Sequence, residues 1–301
     1  MKVAVFATPK SGANRRRPRR LRALAEVAEA HGAVLHATHS LEELDRAVAS
    51  LAHDRPDVLA INGGDGTVHR VLTAAVQVLD PLPTLAILPG GTMDIAARST
   101  GWLGRGAEGL ERVCAGGLRT TERSLLTVDG RWAGFLFGNG LIARFLEVYE
   151  EVPDPTAARA AQILARGAAS AMVGGPFAEQ LTRRWRGEVE LDGEVLAGDD
   201  WLAVAAGTVE QIGLGFRPFR DARAGRMHAV ALGSSVGRFA RELPRVYGRR
   251  PLREPGNVER PATRLVLRSD EPASFMVDGD FHRGGQELVV EVGQTVTLLV
   301  P

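Results

Sequence analysis

The first third of the chain alternates short apolar runs with longer stretches of helical spacing. Residues 3–8 (VAVFAT) read as a buried strand, and PKSGANRRRP follows as a loop. Leu21, Leu24, Ala25, Val27 and Ala28 then recur at the spacing of one helix face, predicting a helix over 19–30 that stops at Gly32. VLHAT (34–38) is a second strand, and Ser40 is placed to cap a helix over LEELDRAVASLA. DVLAIN (57–62) is the third strand, Thr67–Leu79 the next helix and TLAILP (84–89) the fourth strand, with short helices over 94–99 and 107–115. Strand–helix alternation of this kind predicts a parallel sheet covered on both faces.

Near residue 123 the period changes. LLTVDGRWAGFLFGNG, GEVELDGEVLAG, TRLVLRSD, ASFMVDGDFHRGG and VTLLVP are short β-type runs, several joined by Asp-Gly, the strongest local hairpin signal. Only 155–172 and 237–246 have helical spacing here. The reading is an α/β domain over 1–123 and a mostly antiparallel β-sandwich over 124–301, with the last strand able to return to the first domain. Arg183-Arg184-Trp185-Arg186 reads as an amphipathic strand edge.

Composition changes this picture little. Hydrophobic residues make up 45% of 301 residues, enough for a real core. A net charge of +1 gives no field that would recruit nucleic acid. The single cysteine, Cys114, excludes an internal disulfide framework. The first apolar run is too short for a signal peptide and no run is long enough to span a membrane, so the expected location is cytoplasmic.

Candidate chemistry lies in three loops that leave strand ends: Pro9–Gly12 (PKSG), Asn62–Thr67 (NGGDGT) and Pro89–Thr92 (PGGT). Ligands of open parallel sheets bind beyond these ends, and backbone N–H groups that converge near a helix N-terminus suit phosphate. Neither the P-loop nor the dinucleotide fingerprint is present. Asp65 sits among the amides, where a carboxylate repels phosphate unless a cation lies between; the reading is a Mg²⁺ ligand, the alternative a simple Asp-Gly turn residue.

With those loops, Thr38 after the second strand and the V277-D-G-D280 hairpin, the sequence resembles the diacylglycerol kinase catalytic-domain family. That family includes bacterial lipid kinases and sphingosine kinases and is related to NAD kinases. The resemblance implies a two-domain fold with the active site in the cleft between domains. It also implies an ATP- and Mg²⁺-dependent transfer of the γ-phosphoryl group to a lipid hydroxyl, diacylglycerol-like or long-chain-base-like. Nucleotide contacts fall on Lys10, Ser11, Gly12, Thr38, Gly63, Gly64, Asp65, Gly66, Thr67, Gly90, Gly91 and Thr92, with Asp65 on the metal. Asp280 stands where the family has its catalytic base. The literal Asp-Gly-Glu of L191-D-G-E194 competes on motif, but Asp280 is preferred on position and Glu194 is read as a solvated hairpin tip.

The implied partners are ATP, a lipid acceptor and a transiently touched membrane surface, without nucleic acid; a homodimer is compatible with the sequence. The rival readings are a kinase of a soluble acceptor and a nucleotide-binding regulatory protein without turnover. The chain departs from the family pattern at His69-Arg70, at Asp94-Ile95, and at Arg223-Ala224, where some bacterial members carry an acidic pair for a structural Mg²⁺. No structural metal is expected at that last loop.

Overall fold

The structure is a computed structural model describing residues 1–151, 156–172 and 175–301. The chain divides into two units, Met1–Arg123 with Gln294–Pro301, and Ser124–Gly293.

In the first unit, strands β1 (Val3–Ala7), β2 (Val34–Ala37), β3 (Val58–Gly63) and β4 (Thr84–Pro89) pair in parallel in the order β4-β3-β1-β2. Helices α1 (Gly12–Arg16), α2 (Arg19–Ala30), α3 (Leu41–Ser50), α4 (Asp65–Val78), α5 (Ile95–Ser99) and α6 (Gly106–Ala115) connect and follow them. β1 is apolar throughout, and β3 and β4 are so except for Asn62 and Thr84, because both sheet faces are covered. α2 packs with α6 and α3 with α4, and right-handed crossovers place these pairs on opposite faces. The direction of winding reverses between β1 and β3, which makes their carboxyl ends the topological switch point. Ser40 does cap α3: its hydroxyl accepts from Glu43 N at 3.2 Å, while the Glu43 carboxylate reaches back to His39 N at 2.7 Å.

The sequence reading missed α1, taking PKSGANRRRP as loop, and began α4 two residues late. Gly64 serves as the cap of α4, so helix geometry starts within the glycine loop itself.

Strand β5 (Arg119–Val128) leads into the second unit. There follow β6 (Trp132–Gly134), β7 (Leu136–Gly140), α7 (Leu141–Glu150), α8 (Ala157–Met172), α9 (Pro176–Thr182), β8 (Trp185–Arg186), β9 (Glu188–Leu191), β10 (Glu194–Val195), β11 (Asp200–Trp201) and β12 (Ala203–Gly207). β13 (Met227–Leu232), α10 (Val236–Tyr247), β14 (Asn257–Ala262), β15 (Arg264–Arg268), β16 (Ser274–Val277), β17 (Asp280–Arg283) and β18 (Glu287–Val300) complete the chain. The expected helix over 155–172 is seen from Ala157; Pro155 lies outside the described residues. Helices α7 and α9 were not expected.

Antiparallel pairing orders one sheet as β14-β13-β12-β7-β16-β17, and β9, β10, β15 and the first half of β18 pair antiparallel in another. Phe137, Val204, Ala229, Phe275 and Val277 from the first meet Val189, Leu191, Leu265, Leu267, Leu288 and Val290 from the second in one core. Trp201 plugs that core, 1% exposed, with its indole N–H on the Gly187 carbonyl at 3.0 Å. Trp185 is buried too, and Arg184 beside it is held by the Asp200 carboxylate (2.6 Å) and the Gly233 and Ser234 carbonyls. The last residues of β18 return to the first unit, where Leu298 pairs in parallel with Leu85 and Leu299 accepts from the Trp102 indole at 2.8 Å.

Trp201→Ala removes the most deeply buried tryptophan of the second core and is expected to cost about 3–5 kcal/mol, read as a lowered urea midpoint.

Candidate active site

The three glycine loops of the first unit are joined from below by two buried amides. Asn14, on α1, donates to the Thr8 carbonyl at 3.2 Å and to Asn62 Oδ1 at 3.0 Å. Asn62, the penultimate residue of β3, donates in turn to the Pro89 carbonyl at 2.9 Å. Both side chains are about 3% exposed. The ends of β1, β3 and β4 are thereby held at one level. Ser11 adds a second tie, its hydroxyl 2.9 Å from both the Thr8 and Gly90 carbonyls.

Above this clamp the loops meet backbone to backbone. A Cβ on Gly91 would lie 2.2 Å from Gly64 Cα, and one on Gly90 would lie 2.8 Å from Gly63 N. One on Gly63 would strike Thr67 at 2.4 Å, and one on Gly12 would strike Thr92 Oγ1 at 2.1 Å. None of these glycines has a positive φ. The bare backbone therefore serves close approach, not a turn conformation.

Asp65 is the first residue of α4. Its Oδ1 accepts the Ala96 N–H at 3.0 Å, so the carboxylate ties the β3–α4 loop to the start of α5. The residue keeps some solvent exposure, but its carboxyl is enclosed by protein. That desolvation pushes its pKa up to about 6, against the pull of the Ala96 and Ile95 amides, and the Asp94 charge pushes the same way. Asp94 adopts a left-handed conformation (φ 51°) and its Oδ1 accepts from Gly91 N at 2.7 Å and Gly90 N at 3.4 Å. Burial raises its pKa as well, opposed by those amides and by Arg98 and Arg20.

The other expected contacts are placed as follows. Lys10 is exposed. Thr38 is buried after β2, with its N–H on the Ala7 carbonyl at 3.0 Å. Thr92 Oγ1 lies 3.3 Å from Arg16 Nη2. Gly66 and Thr67 form the first turn of α4, whose leading N–H groups have no intrahelical acceptor. His69, a departure from the family pattern, is buried in the same helix, 3.5 Å from the Thr73 hydroxyl.

Asp280 belongs to the second unit, at the start of β17, partly exposed. The Asp278-Gly279 turn before it has φ of 46° and 90°, as a two-residue hairpin requires. Asp278, which the sequence reading passed over, is 2% exposed and accepts the Phe135 and Leu136 N–H groups at 2.8–3.0 Å. His282 stacks on Phe275 (5.3 Å) and leans on Trp132 (5.2 Å), fixing the other strand of the hairpin. Glu194 is exposed and paired with Arg260 at 2.7 Å. At the loop where an acidic pair is missing, Arg223 and Arg226 close a tight turn, and Asp221 is engaged by Arg220 and His228.

Comparison with known proteins bears on the first unit. Residues 2–124 match the model of the diacylglycerol kinase catalytic domain. That stretch is similar to the diacylglycerol kinase catalytic domain, and it covers less than half of the chain. Three solved structures from Bacillus anthracis str. Sterne have the same fold: one is called a diacylglycerol kinase and two bear that name provisionally. They are 17%, 17% and 18% identical to the chain, with TM-scores of 0.74, 0.67 and 0.69, and in each case 100% of this chain covers 97% of the other. No curated protein matches. The matched segment supports a kinase-type phosphotransferase.

The residues fit a nucleotide and a divalent cation. The first turn of α4 offers amides to phosphate at the switch point. Asp65 and Asp94 place two mutually repelling, desolvated carboxyls beside it, where a hard cation would relieve both.

Two outcomes follow from this geometry. Asn62→Leu keeps the branched shape but takes one partner from the Asn14 amide and one from the Pro89 carbonyl; it is expected to cost about 2–4 kcal/mol in chemical unfolding. The raised Asp65 pKa contributes stability that is complete below pH 3.8 and lost as pH rises through about 6. Asp65→Asn abolishes that titration, so without metal it should equal the wild type near pH 4 and exceed it at pH 8, by up to about 3 kcal/mol. Urea midpoints at the two pH values check this.

Proposed function

We propose that the protein is an ATP- and Mg²⁺-dependent kinase that phosphorylates a lipid hydroxyl, diacylglycerol-like or long-chain-base-like. The observation that carries the reading is Asp65: a desolvated carboxyl with a raised pKa at the head of a glycine-walled helix N-terminus, inside the stretch similar to the diacylglycerol kinase catalytic domain. In the proposed roles, the α4 first-turn amides of Asp65, Gly66 and Thr67 hold the nucleotide phosphates. Asp65 would hold the Mg²⁺, the Thr67 and Thr92 hydroxyls donate to the phosphate oxygens, and Lys10 adds positive charge. Mg²⁺, when bound, neutralises the phosphate oxygens. Asp280 accepts the proton of the acceptor hydroxyl as its oxygen bonds to the γ-phosphorus. The bond from that phosphorus to the β–γ bridging oxygen breaks and ADP leaves. The support for Asp280 is its place after a turn pinned by Asp278 and beside a stacked aromatic strand.

A second reading, nucleotide binding without turnover, is favoured by one observation. The Asp94 carboxylate already takes up the Gly90 and Gly91 amides that the family resemblance gives to the nucleotide.

Purified protein with γ-labelled ATP, Mg²⁺ and a total lipid extract in mixed micelles separates the readings. Label should enter the organic phase with wild type, fall at least about 100-fold in Asp65→Asn, and fall similarly in Asp280→Asn with nucleotide binding retained. Nucleotide binding with no labelled lipid would reject the lipid kinase, and label in a water-soluble product would move the reading to a soluble acceptor.

A further inference from the structure

The chain's near-neutral charge conceals a strongly uneven distribution. Residues 210–254 contain ten arginines and four carboxylates, a net +6 against +1 for the whole chain, so the remaining residues sum to −5. Part of this charge is internally balanced: Arg249 pairs with Glu210 at 2.7 Å, Arg245 with Glu242 at 3.3 Å and Arg238 with Glu254 at 3.8 Å. Arg217, Arg241, Arg250 and Arg253 are exposed and, among the described residues, have no carboxylate within ion-pair distance.

Apolar side chains stand among these arginines. Residues 212–216 form a tight loop, closed by the Ile212 N–H on the Phe216 carbonyl at 2.9 Å. At its tip Leu214 is held at φ 58°, a conformation that an apolar β-carbon residue adopts at a cost. Ile212, Leu214 and Phe216 are all partly exposed. The loop is tied to the end of α10: Phe216 meets Tyr247 edge-on at 6.0 Å, and Arg217 N–H reaches the Val246 carbonyl at 3.3 Å. Tyr247 itself is 63% exposed. α10 is in turn anchored by the buried Glu242 carboxylate, which accepts the Arg253 and Glu254 N–H groups at 3.1 and 3.0 Å.

A partly exposed leucine on an anchored loop tip and an exposed tyrosine on the adjoining helix end, in a segment with four unpaired arginines, match an anionic bilayer in both chemistry and charge. The aromatic and aliphatic groups suit the headgroup–acyl boundary, and the guanidinium groups suit lipid phosphates. We infer that the 212–216 loop and the C-terminal end of α10 form a docking surface for anionic lipid bilayers. The inference rests on the proposed function only in choosing lipid as the partner.

The test is co-sedimentation of the full chain with vesicles of phosphatidylcholine alone, or with one quarter phosphatidylglycerol, at low and high salt. Binding should require the anionic lipid and weaken with salt. Arg241→Glu/Arg250→Glu/Arg253→Glu should bind at least about 100-fold more weakly. Leu214→Asn suits the left-handed backbone and so keeps the fold, and it should also weaken binding. Equal binding to both vesicle types, undiminished binding of the triple variant, or preference for a soluble polyanion such as heparin would overturn the proposal. Phosphorylation of a lipid dispersed in detergent micelles needs no bilayer and is scored in parallel. Micellar activity without vesicle binding would reject the docking surface alone; vesicle binding without micellar activity would reject the kinase reading alone.

Discussion

The first unit depends on the Asn14–Asn62 amide pair. Parallel strands end in carbonyl groups that the next loop must satisfy, and three such ends converge at one switch point here. A buried amide both donates and accepts, so two of them in series link the Thr8 and Pro89 carbonyls through β3. Apolar residues in their place would leave buried carbonyls unpaired, and water would need room that the glycine contacts deny it. With the strand ends fixed, the loops above can touch at backbone distance, and a side chain on Gly90 or Gly91 would have nowhere to go.

That packing sets the electrostatics. Bringing the β3–α4 and β4–α5 loops together places Asp65 against the amide of Ala96 and near Asp94. Two carboxyls deprived of water and repelling one another are unfavourable in the isolated protein. Such an arrangement persists when a bound cation repays it, which is the usual relation between strain at a site and the ligand it receives. Asp94 takes a left-handed conformation there, and its carboxylate accepts the Gly91 amide.

The second unit solves a different problem. Its core lies between antiparallel sheets whose inner residues alternate with outer ones, so its outer face is free to carry charge. β15 uses this freedom in an ion-paired ladder, with Arg264 and Arg268 both bound to Glu190. The 210–254 segment leaves several arginines unpaired. Buried carboxylates do the structural work at hairpins and helix ends, Asp278 on β7 and Glu242 beneath α10. Neither has the burial pattern that composition alone would assign to an acidic residue.

Local pattern by itself determined the α/β first region, the helix over Arg19–Ala30, the Ser40 cap and the change to hairpins, because periodicity and turn chemistry are short-range properties. It also supplied the glycine loops and their family resemblance, since those motifs are contiguous. It failed at α1, where an arginine run masks helical spacing, and at the short helices α7 and α9. Tertiary structure alone decided why Gly12, Gly64, Gly90 and Gly91 are glycine: their contact partners lie in another loop, dozens of residues away. It decided likewise that Asn14, Asn62 and Asp278 are buried hydrogen-bond hubs and that Asp65 is desolvated. Burial is a property of what surrounds a side chain, and those surroundings come from parts of the chain that no local window contains.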